Sequence, residues 1–122
     1  MQKHILIVDD NKDLLTMLTA MLKTRGYRIS VSENAENIIP LVKEIRPDII
    51  LMDMLLSGAD GRDICKQIKA DESIASIPLM MLSAYPQAIT DCLQAGADEF
   101  IEKPFDMKVL LEKLAGMHGE KD

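Results

Sequence analysis

Short apolar runs recur along the chain between longer segments in which apolar and polar residues mix. Four of these runs, residues 4–8, 48–52, 77–82 and 99–101, are largely continuous. Continuous runs are typical of strands in a parallel sheet, because helices cover both faces of such a sheet. A fifth run, residues 27–31, alternates between apolar and polar positions and therefore indicates an edge strand.

The segments between these runs show the three- and four-residue spacing of amphipathic helices. Gly26 and Gly96 fall where the first and fourth helices should end, and Asn34 and Asp106 are plausible N-caps of the second and fifth. The apolar faces of the five predicted helices are Leu14, Leu18, Met21 and Leu22; Ile38, Leu41, Val42 and Ile45; Ile64, Cys65 and Ile68; Ile89, Cys92 and Leu93; and Met107, Leu110, Leu111 and Leu114.

Pro40 lies within the second helical pattern, off its apolar face, and removes a backbone donor there. Either the helix begins late enough to place Pro40 in its first turn, or the helix is kinked. We expect the fold to absorb the proline in either case.

Five strand–helix units predict an α/β fold with a doubly wound, five-stranded parallel sheet and helices on both faces. The flavodoxin-like strand order 2-1-3-4-5 is the natural expectation for this count. At 122 residues we expect a single domain over residues 1–122, with no output domain in this chain and a fraying polar tail over residues 116–122.

The net charge of −6 argues against binding to nucleic acid or to an anionic membrane surface, since both require a basic face. It favours cations as ligands. The apolar runs are far shorter than the roughly 20 residues that a membrane-spanning helix needs. The first run leads directly into two acids, unlike a signal peptide, so a cytoplasmic location is expected.

The two cysteines, Cys65 and Cys92, lie on apolar helix faces. We expect buried, reduced thiols, and a disulfide or a metal-binding pair is the less favoured alternative.

Polar side chains follow the strands at the sheet edge where open α/β folds bind ligands. Asp9 and Asp10 follow the first strand, Asp53 ends the third, Ser83 follows the fourth, and Lys103 follows the fifth. Each has an ordinary interpretation alone: a solvated acidic loop, two turn residues, and a surface charge. In the predicted order these strands are neighbours, so their ends should converge on one pocket.

Three carboxylates in one pocket would repel one another unless a cation lay between them. Carboxylate oxygens suit Mg²⁺, which commonly bridges to phosphate. A lysine and a hydroxyl on the opposite rim would stabilise the charge of a transferring phosphoryl group. An aspartate in such a site can act as the nucleophile and form an acyl phosphate.

The chain resembles the receiver domain of two-component response regulators from end to end. The resemblance is carried by residues 5–11, 47–53, 82–84 and 95–105. It implies that Asp53 accepts a phosphoryl group from a histidine kinase or a phosphotransfer protein. It also implies that Asp10 and Asp53 bind Mg²⁺ directly, that Asp9 binds it through water, and that the backbone carbonyl of Leu55 is the third protein ligand.

The resemblance assigns further roles around the pocket. Lys103 would bind the phosphoryl group, and the Lys103–Pro104 peptide bond would be cis. Ser83 and Phe100 would be the switch residues that alter the surface of helix 4, strand 5 and helix 5 for a downstream protein that the sequence does not name. We expect the domain to be a monomer or weak dimer, and to have no enzymatic activity beyond its own phosphorylation and dephosphorylation.

The chain departs from the family pattern in three places. Leu56 and Ser57 replace a usual Met-Pro pair, although Asp60 and Gly61 keep their places. The segment between the fourth and fifth strands is about two residues short, ahead of or within the first turn of the fourth helix, which normally moves on phosphorylation. Phe100 lacks the hydroxyl of the commoner tyrosine.

Leu55 and Tyr85 occupy positions that tune hydrolysis of the acyl phosphate in this family. A leucine cannot orient an attacking water, so we predict a comparatively long-lived phosphorylated form.

Three other functions fit the residues less well. An aspartate-based phosphohydrolase needs a second acid two residues after the nucleophile, where this chain has Leu55. A flavodoxin needs hydroxyls and amides where Asp9 and Asp10 stand. A receiver-like interaction module that works without phosphorylation stays open, although such modules usually lack an acid or the lysine.

Overall fold

The structure is a computed structural model, and it describes residues 2–117. Its elements are, in chain order, β1 (His4–Val8), α1 (Lys12–Lys23), β2 (Arg28–Ser32), α2 (Ile38–Ile45), β3 (Ile49–Asp53), β4 (Leu55–Leu56), β5 (Ala59–Asp60), α3 (Gly61–Ala70), β6 (Leu79–Ser83), a 3₁₀ turn (Pro86–Ala88), α4 (Ile89–Gln94), β7 (Glu99–Glu102) and α5 (Met107–Met117).

Five parallel strands form the main sheet in the order β2-β1-β3-β6-β7. Counted along the main sheet, this is the predicted order 2-1-3-4-5, so the fold-class prediction is confirmed. The alternating strand β2 lies at the edge, as its pattern indicated. The antiparallel hairpin of β4 and β5, which joins β3 to α3, was not predicted.

The core consists of two layers, one on each face of the sheet. Along β1, Ile5 and Ile7 face the layer built with α1 and α5, whereas Leu6 and Val8 face the layer built with α2, α3 and α4. All four side chains are buried. This explains why the interior positions of the central strands β1, β3 and β6 are apolar on both faces: helices cover both sides of the sheet.

Methionines are concentrated in and directly after the central strands β3 and β6, whose carboxyl ends carry Asp53 and Ser83 at one edge of the sheet. Four of them are buried: Met52, Met54, Met80 and Met81. They give the interior beneath that sheet edge an unusual share of flexible, polarizable side chains.

Both cysteines are buried free thiols, as predicted. Burial raises the pKa of Cys65 to about 11 and also raises the pKa of Cys92. The Cys92 sulfur lies 3.7 Å from the sulfur of Met54.

The buried face of α1 differs from the prediction. Leu15, Leu18 and Leu22 are buried, whereas Leu14 is only partly covered and Met21 is exposed. Both sets of residues satisfy helical spacing, so the pattern defined the helix but not the direction of its face.

The predicted face of α4 is wrong at two of its three positions. Cys92 is buried, but Ile89 and Leu93 are 42% and 46% exposed. The helix has only six residues and follows a 3₁₀ turn, and Cys92 is its one residue that is buried in the core.

The predicted helix ends are confirmed at three of four positions. Gly26 and Gly96 have φ of 91° and 110°, the left-handed backbone that favours glycine. A carboxylate oxygen of Asp106 accepts a hydrogen bond from the N–H of Lys108 at 2.8 Å, which caps α5.

Asn34 does not cap α2. Its side-chain oxygen accepts a hydrogen bond from the N–H of Glu36 in a turn ahead of the helix, and α2 begins only at Ile38. Pro40 therefore lies in the first turn and is exposed, which confirms the late-start alternative.

Helix α5 continues through Met117, so Gly116 is helical and not part of a tail. The rest of the predicted tail, residues 118–122, lies outside the described residues. Within residues 2–117, every helix is too short or too polar to cross a membrane.

Candidate functional site

The carboxyl ends of four neighbouring strands bring the predicted polar residues to one edge of the sheet. Asp9 directly follows β1, Asp53 ends β3, Ser83 ends β6 and Lys103 directly follows β7. Asp9, Asp10 and Asp53 each offer a carboxylate oxygen, and these oxygens lie within 4.8 Å of one another. The topology therefore assembles the acid cluster that the sequence suggested.

Asp9 is the deepest carboxylate of the cluster, with 0% of its side chain exposed. One of its oxygens accepts a hydrogen bond from the N–H of Asn11 at 2.9 Å. The other lies 3.0 Å from the Lys103 ammonium, which is 23% exposed. Asp9 is thus a buried charge that is held by a partly buried hydrogen bond from a backbone N–H and by one counterion.

Asp53 is less deeply buried than Asp9, with 14% of its side chain exposed. Its Oδ1 is 3.5 Å from the Lys103 ammonium. Burial raises the pKa of Asp53, and the negative charge of Asp9 raises it further. The Lys103 charge and a hydrogen bond from the N–H of Leu55 act in the opposite direction without cancelling the rise.

The backbone of Asp53 is fixed by close contact with the start of α3. A Cβ atom on Gly61 would lie 2.5 Å from the Asp53 carbonyl oxygen, so only glycine fits there. The N–H of Gly61 donates to the Met54 carbonyl at 2.6 Å, and the N–H of Met54 donates to the Leu82 carbonyl at 2.8 Å. These bonds fix where the strand end presents its carboxylate.

Asp10 is the exposed member of the cluster and is held by Ser57. Its Oδ2 accepts hydrogen bonds from the Ser57 hydroxyl at 2.7 Å and from the Ser57 N–H at 2.9 Å. The hydroxyl bond is the main reason that the pKa of Asp10 is lowered. In the sequence, Ser57 stands out only as a departure from the family pattern. Serine has a backbone N–H and a hydroxyl, two hydrogen-bond donors that proline lacks, and this difference was the one sign in the sequence of a new contact here.

Ser83 is buried on the opposite rim. Its hydroxyl accepts a hydrogen bond from the N–H of Tyr85 at 2.9 Å, and its carbonyl accepts one from the N–H of Lys103 at 2.8 Å. The Lys103–Pro104 peptide bond is cis, as the resemblance implied.

Phe100 is buried in the core layer that also contains Ala88 and Cys92. It lines one wall of a groove of about 380 Å³ between α4, β7 and α5, with Ile89 and Val109 on the other walls. The surface that the resemblance assigns to switching thus includes a groove lined by Phe100, and its role as a switch stays a prediction.

The donor set suits a hard divalent cation. Three carboxylates converge while one ammonium group faces them, so the cluster keeps negative charge that a cation would neutralise. Leu55, the expected source of a carbonyl ligand, lies in β4 two residues after Asp53. Its role as a ligand stays a prediction.

Comparison with known proteins gives a consistent result. Residues 5–115 match the family model for the response regulator receiver domain. The DNA-binding response regulator MtrA of Mycolicibacterium paratuberculosis is 35% identical over 116 residues, which cover 93% of this chain and 50% of that protein. The chain therefore spans about half the length of the curated relatives it matches.

Solved structures agree with the fold. A response regulator from Chloroflexus aurantiacus superposes with a TM-score of 0.93 at 26% identity, covering 98% of this chain and all of that one. A second structure is the receiver domain of a sensor histidine kinase from Pseudomonas aeruginosa PAO1, which was solved with a magnesium ion in its active-site cleft. It superposes with a TM-score of 0.88 at 31% identity, covering 98% of this chain and all of that one. With the sheet order, the acid cluster and the match over nearly its whole length, the chain belongs to the response regulator receiver family.

Proposed function

We propose that this domain accepts a phosphoryl group onto Asp53 from a phosphohistidine of a histidine kinase or a phosphotransfer protein, in a reaction that requires Mg²⁺. The observation that carries the proposal is the clustering of Asp9, Asp10 and Asp53 within 4.8 Å, with Lys103 reaching two of them.

Each residue has a distinct part in this proposal. An oxygen of Asp53 attacks phosphorus, the bond from phosphorus to the donor nitrogen breaks, and an acyl phosphate forms. Asp10, Asp53 and the Leu55 carbonyl would hold Mg²⁺ directly, with Asp9 acting through water. When bound, the cation neutralises charge on the transferring phosphoryl group.

Lys103 supplies the fixed positive charge on the other side. Its ammonium lies 3.0 Å from Asp9 and 3.5 Å from Asp53, so it can stay paired with Asp9 while it binds a phosphoryl oxygen on Asp53. Such a fixed charge needs little rearrangement during the reaction.

Ser83 and Phe100 connect the site to the surface. The Ser83 hydroxyl has a proton to donate to a phosphoryl oxygen while it accepts from Tyr85. We propose that this new bond draws in the end of β6, and that the groove around Phe100, between α4, β7 and α5, changes shape and selects a downstream protein. A charge that biases a two-state surface is the general form of such switches.

The proposed role is that of a regulatory domain in the cytoplasm and not of an enzyme with a separate substrate. Its net charge of −6 makes direct nucleic-acid binding by this domain unfavourable. Its partners would be a phosphodonor protein and one downstream protein, with the domain itself a monomer or weak dimer.

The test is intact-mass measurement after incubation with acetyl phosphate or phosphoramidate, with and without Mg²⁺. We expect one added phosphoryl group that requires both Mg²⁺ and Asp53. Asp53→Asn should remove it, and Asp13→Asn, a change to an acid in the first turn of α1, should not. No added mass on a protein that binds Mg²⁺ would favour an interaction module that works without phosphate.

A further inference from the structure

Ser57 is the first residue of the two-residue turn between β4 and β5, and Gly58 is the second, with φ of 77°. From this turn Ser57 directs both of its donors, the hydroxyl and the N–H, at one oxygen of Asp10. The two bonds link the loop after β1 to the hairpin after β3, over 47 residues of chain.

These bonds oppose the electrostatic repulsion that acts on Asp10 from the other two carboxylates of the cluster. Asp10 is exposed and shares the site with two other carboxylates, so repulsion favours side-chain rotamers that turn it outward. Lys103 is in direct contact with Asp9 and Asp53. The hydrogen bonds that hold Asp10 at the site come from Ser57.

We propose that Ser57 is a positioning residue that holds Asp10 ready for the cation and so raises the affinity of the site for Mg²⁺. The inference rests on the proposed function, because it takes Asp10 as a metal ligand. Both bonds go to Oδ2 of Asp10 and use its two lone pairs, so Oδ1 remains free to bind a metal. Partners that orient a ligand in this way commonly change metal affinity by a factor of about 10 to 100.

The receiver pattern has proline at this position, and proline can make neither bond. The contact to Asp10 therefore depends on having serine at position 57. Ser57 does not touch the reacting atoms, so its effect should appear in metal binding and not depend on phosphoryl transfer.

Three variants separate the two bonds. Ser57→Thr keeps the hydroxyl and the N–H, Ser57→Ala keeps only the N–H, and Ser57→Pro keeps neither. Proline suits the first central position of a turn whose second residue is a glycine with positive φ, so the hairpin should survive.

The chain also offers a matched control. Ser73 directs its hydroxyl and its N–H at one oxygen of Asp71, at 2.6 and 3.0 Å, in a turn outside the acid cluster. Ser73→Ala removes the same kind of bond without touching a candidate metal ligand.

The measurement is the Mg²⁺ dissociation constant of the full chain by titration calorimetry, with the urea unfolding midpoint in chelator recorded for each variant. We expect Ser57→Thr and Ser73→Ala to match the parent, Ser57→Ala to bind about 5-fold more weakly, and Ser57→Pro about 10-fold or more.

Equal affinities across the series, or tighter binding by the alanine and proline variants, would overturn the inference and leave the proposed function intact. A parent chain that binds no Mg²⁺ would overturn both. If the proline variant fails to fold, the Mg²⁺ dissociation constants of Ser57→Ala and Ser57→Thr still test the inference, because these two variants differ in the hydroxyl bond to Asp10.

Discussion

Replacing Lys103 with glutamine should destabilise the metal-free protein more than any ordinary surface change. The substitution removes an ammonium group 3.0 Å from a carboxylate that is 0% exposed. Asp9 would keep its bond from the N–H of Asn11 but would lose its counterion. A buried carboxylate without a counterion has lost its hydration free energy and regains little of it from the protein, so the folded state is destabilised.

The magnitude follows from where the pair lies. Removing one partner of a fully buried ion pair costs about 3 to 5 kcal/mol, whereas exposed pairs contribute about 0 to 1 kcal/mol. Lys103 is 23% exposed and Asp9 is not exposed, so we expect an intermediate loss of about 2 to 3 kcal/mol. With a slope of about 1 to 3 kcal/mol per molar urea, the midpoint should fall by about 1 M or more.

Equilibrium urea unfolding in chelator, followed by far-ultraviolet circular dichroism, measures this loss. Lys113→Gln is the matched control, because the Lys113–Glu99 pair has a similar length of 3.1 Å but is 30% and 37% exposed. It should cost less than about 1 kcal/mol. A Lys103→Gln midpoint that falls no further than that of Lys113→Gln would refute the reasoning, and added Mg²⁺ should narrow the gap by mass action.

Three further predictions follow from the site and its surroundings. Gly61→Ala would place a methyl carbon 2.5 Å from a backbone oxygen of β3, so urea unfolding should show a loss of about 1 to 3 kcal/mol and the rate of phosphorylation by acetyl phosphate should fall. In the parent chain, the hydrogen-bonded ion pair with Arg62 lowers the pKa of Asp60. Asp60→Asn keeps an acceptor for the cap of α3 but removes this ion pair. A lowered carboxyl pKa contributes stability above the unfolded value of 3.8 that disappears as the pH falls, so the variant should lose about 1 kcal/mol at pH 7 and match the parent in acid. Replacing Leu55 with asparagine together with Tyr85 with glutamate should shorten the lifetime of the phosphorylated form, measured by decay of the added mass, and an unchanged rate would contradict the predicted long lifetime.

The sheet could be read from the sequence because its physical cause is local. Largely apolar runs occur where both faces of a strand are covered, and five alternating strand–helix units with right-handed connections leave few strand orders, of which 2-1-3-4-5 is a common one. The convergence of Asp9, Asp53 and Lys103 then follows from topology, although they are far apart in sequence. Sequence spacing alone does not determine which face of a helix is buried, since Leu14 and Leu15 fit the spacing of α1 equally well.

Short elements and contacts between loops were the parts that pattern analysis could not supply. The two-residue strands of the hairpin carry no periodicity, and the six-residue α4 has too few positions to define a face. The bonds between Ser57 and Asp10 depend on the conformation of a turn relative to a different loop. Such geometry arises only once the whole fold is assembled.

The buried methionines in and directly after β3 and β6 bear on how readily the edge of the sheet that carries the acid cluster can change shape. An interior of branched side chains resists displacement, because a change of even one methylene leaves a void or a clash. Met52, Met54, Met80 and Met81 are unbranched, with three rotatable bonds each, and can follow a shifted neighbour by rotation. The packing beneath the acid cluster is therefore compliant, and the stiffness of this edge resides in the hydrogen bonds of its rim.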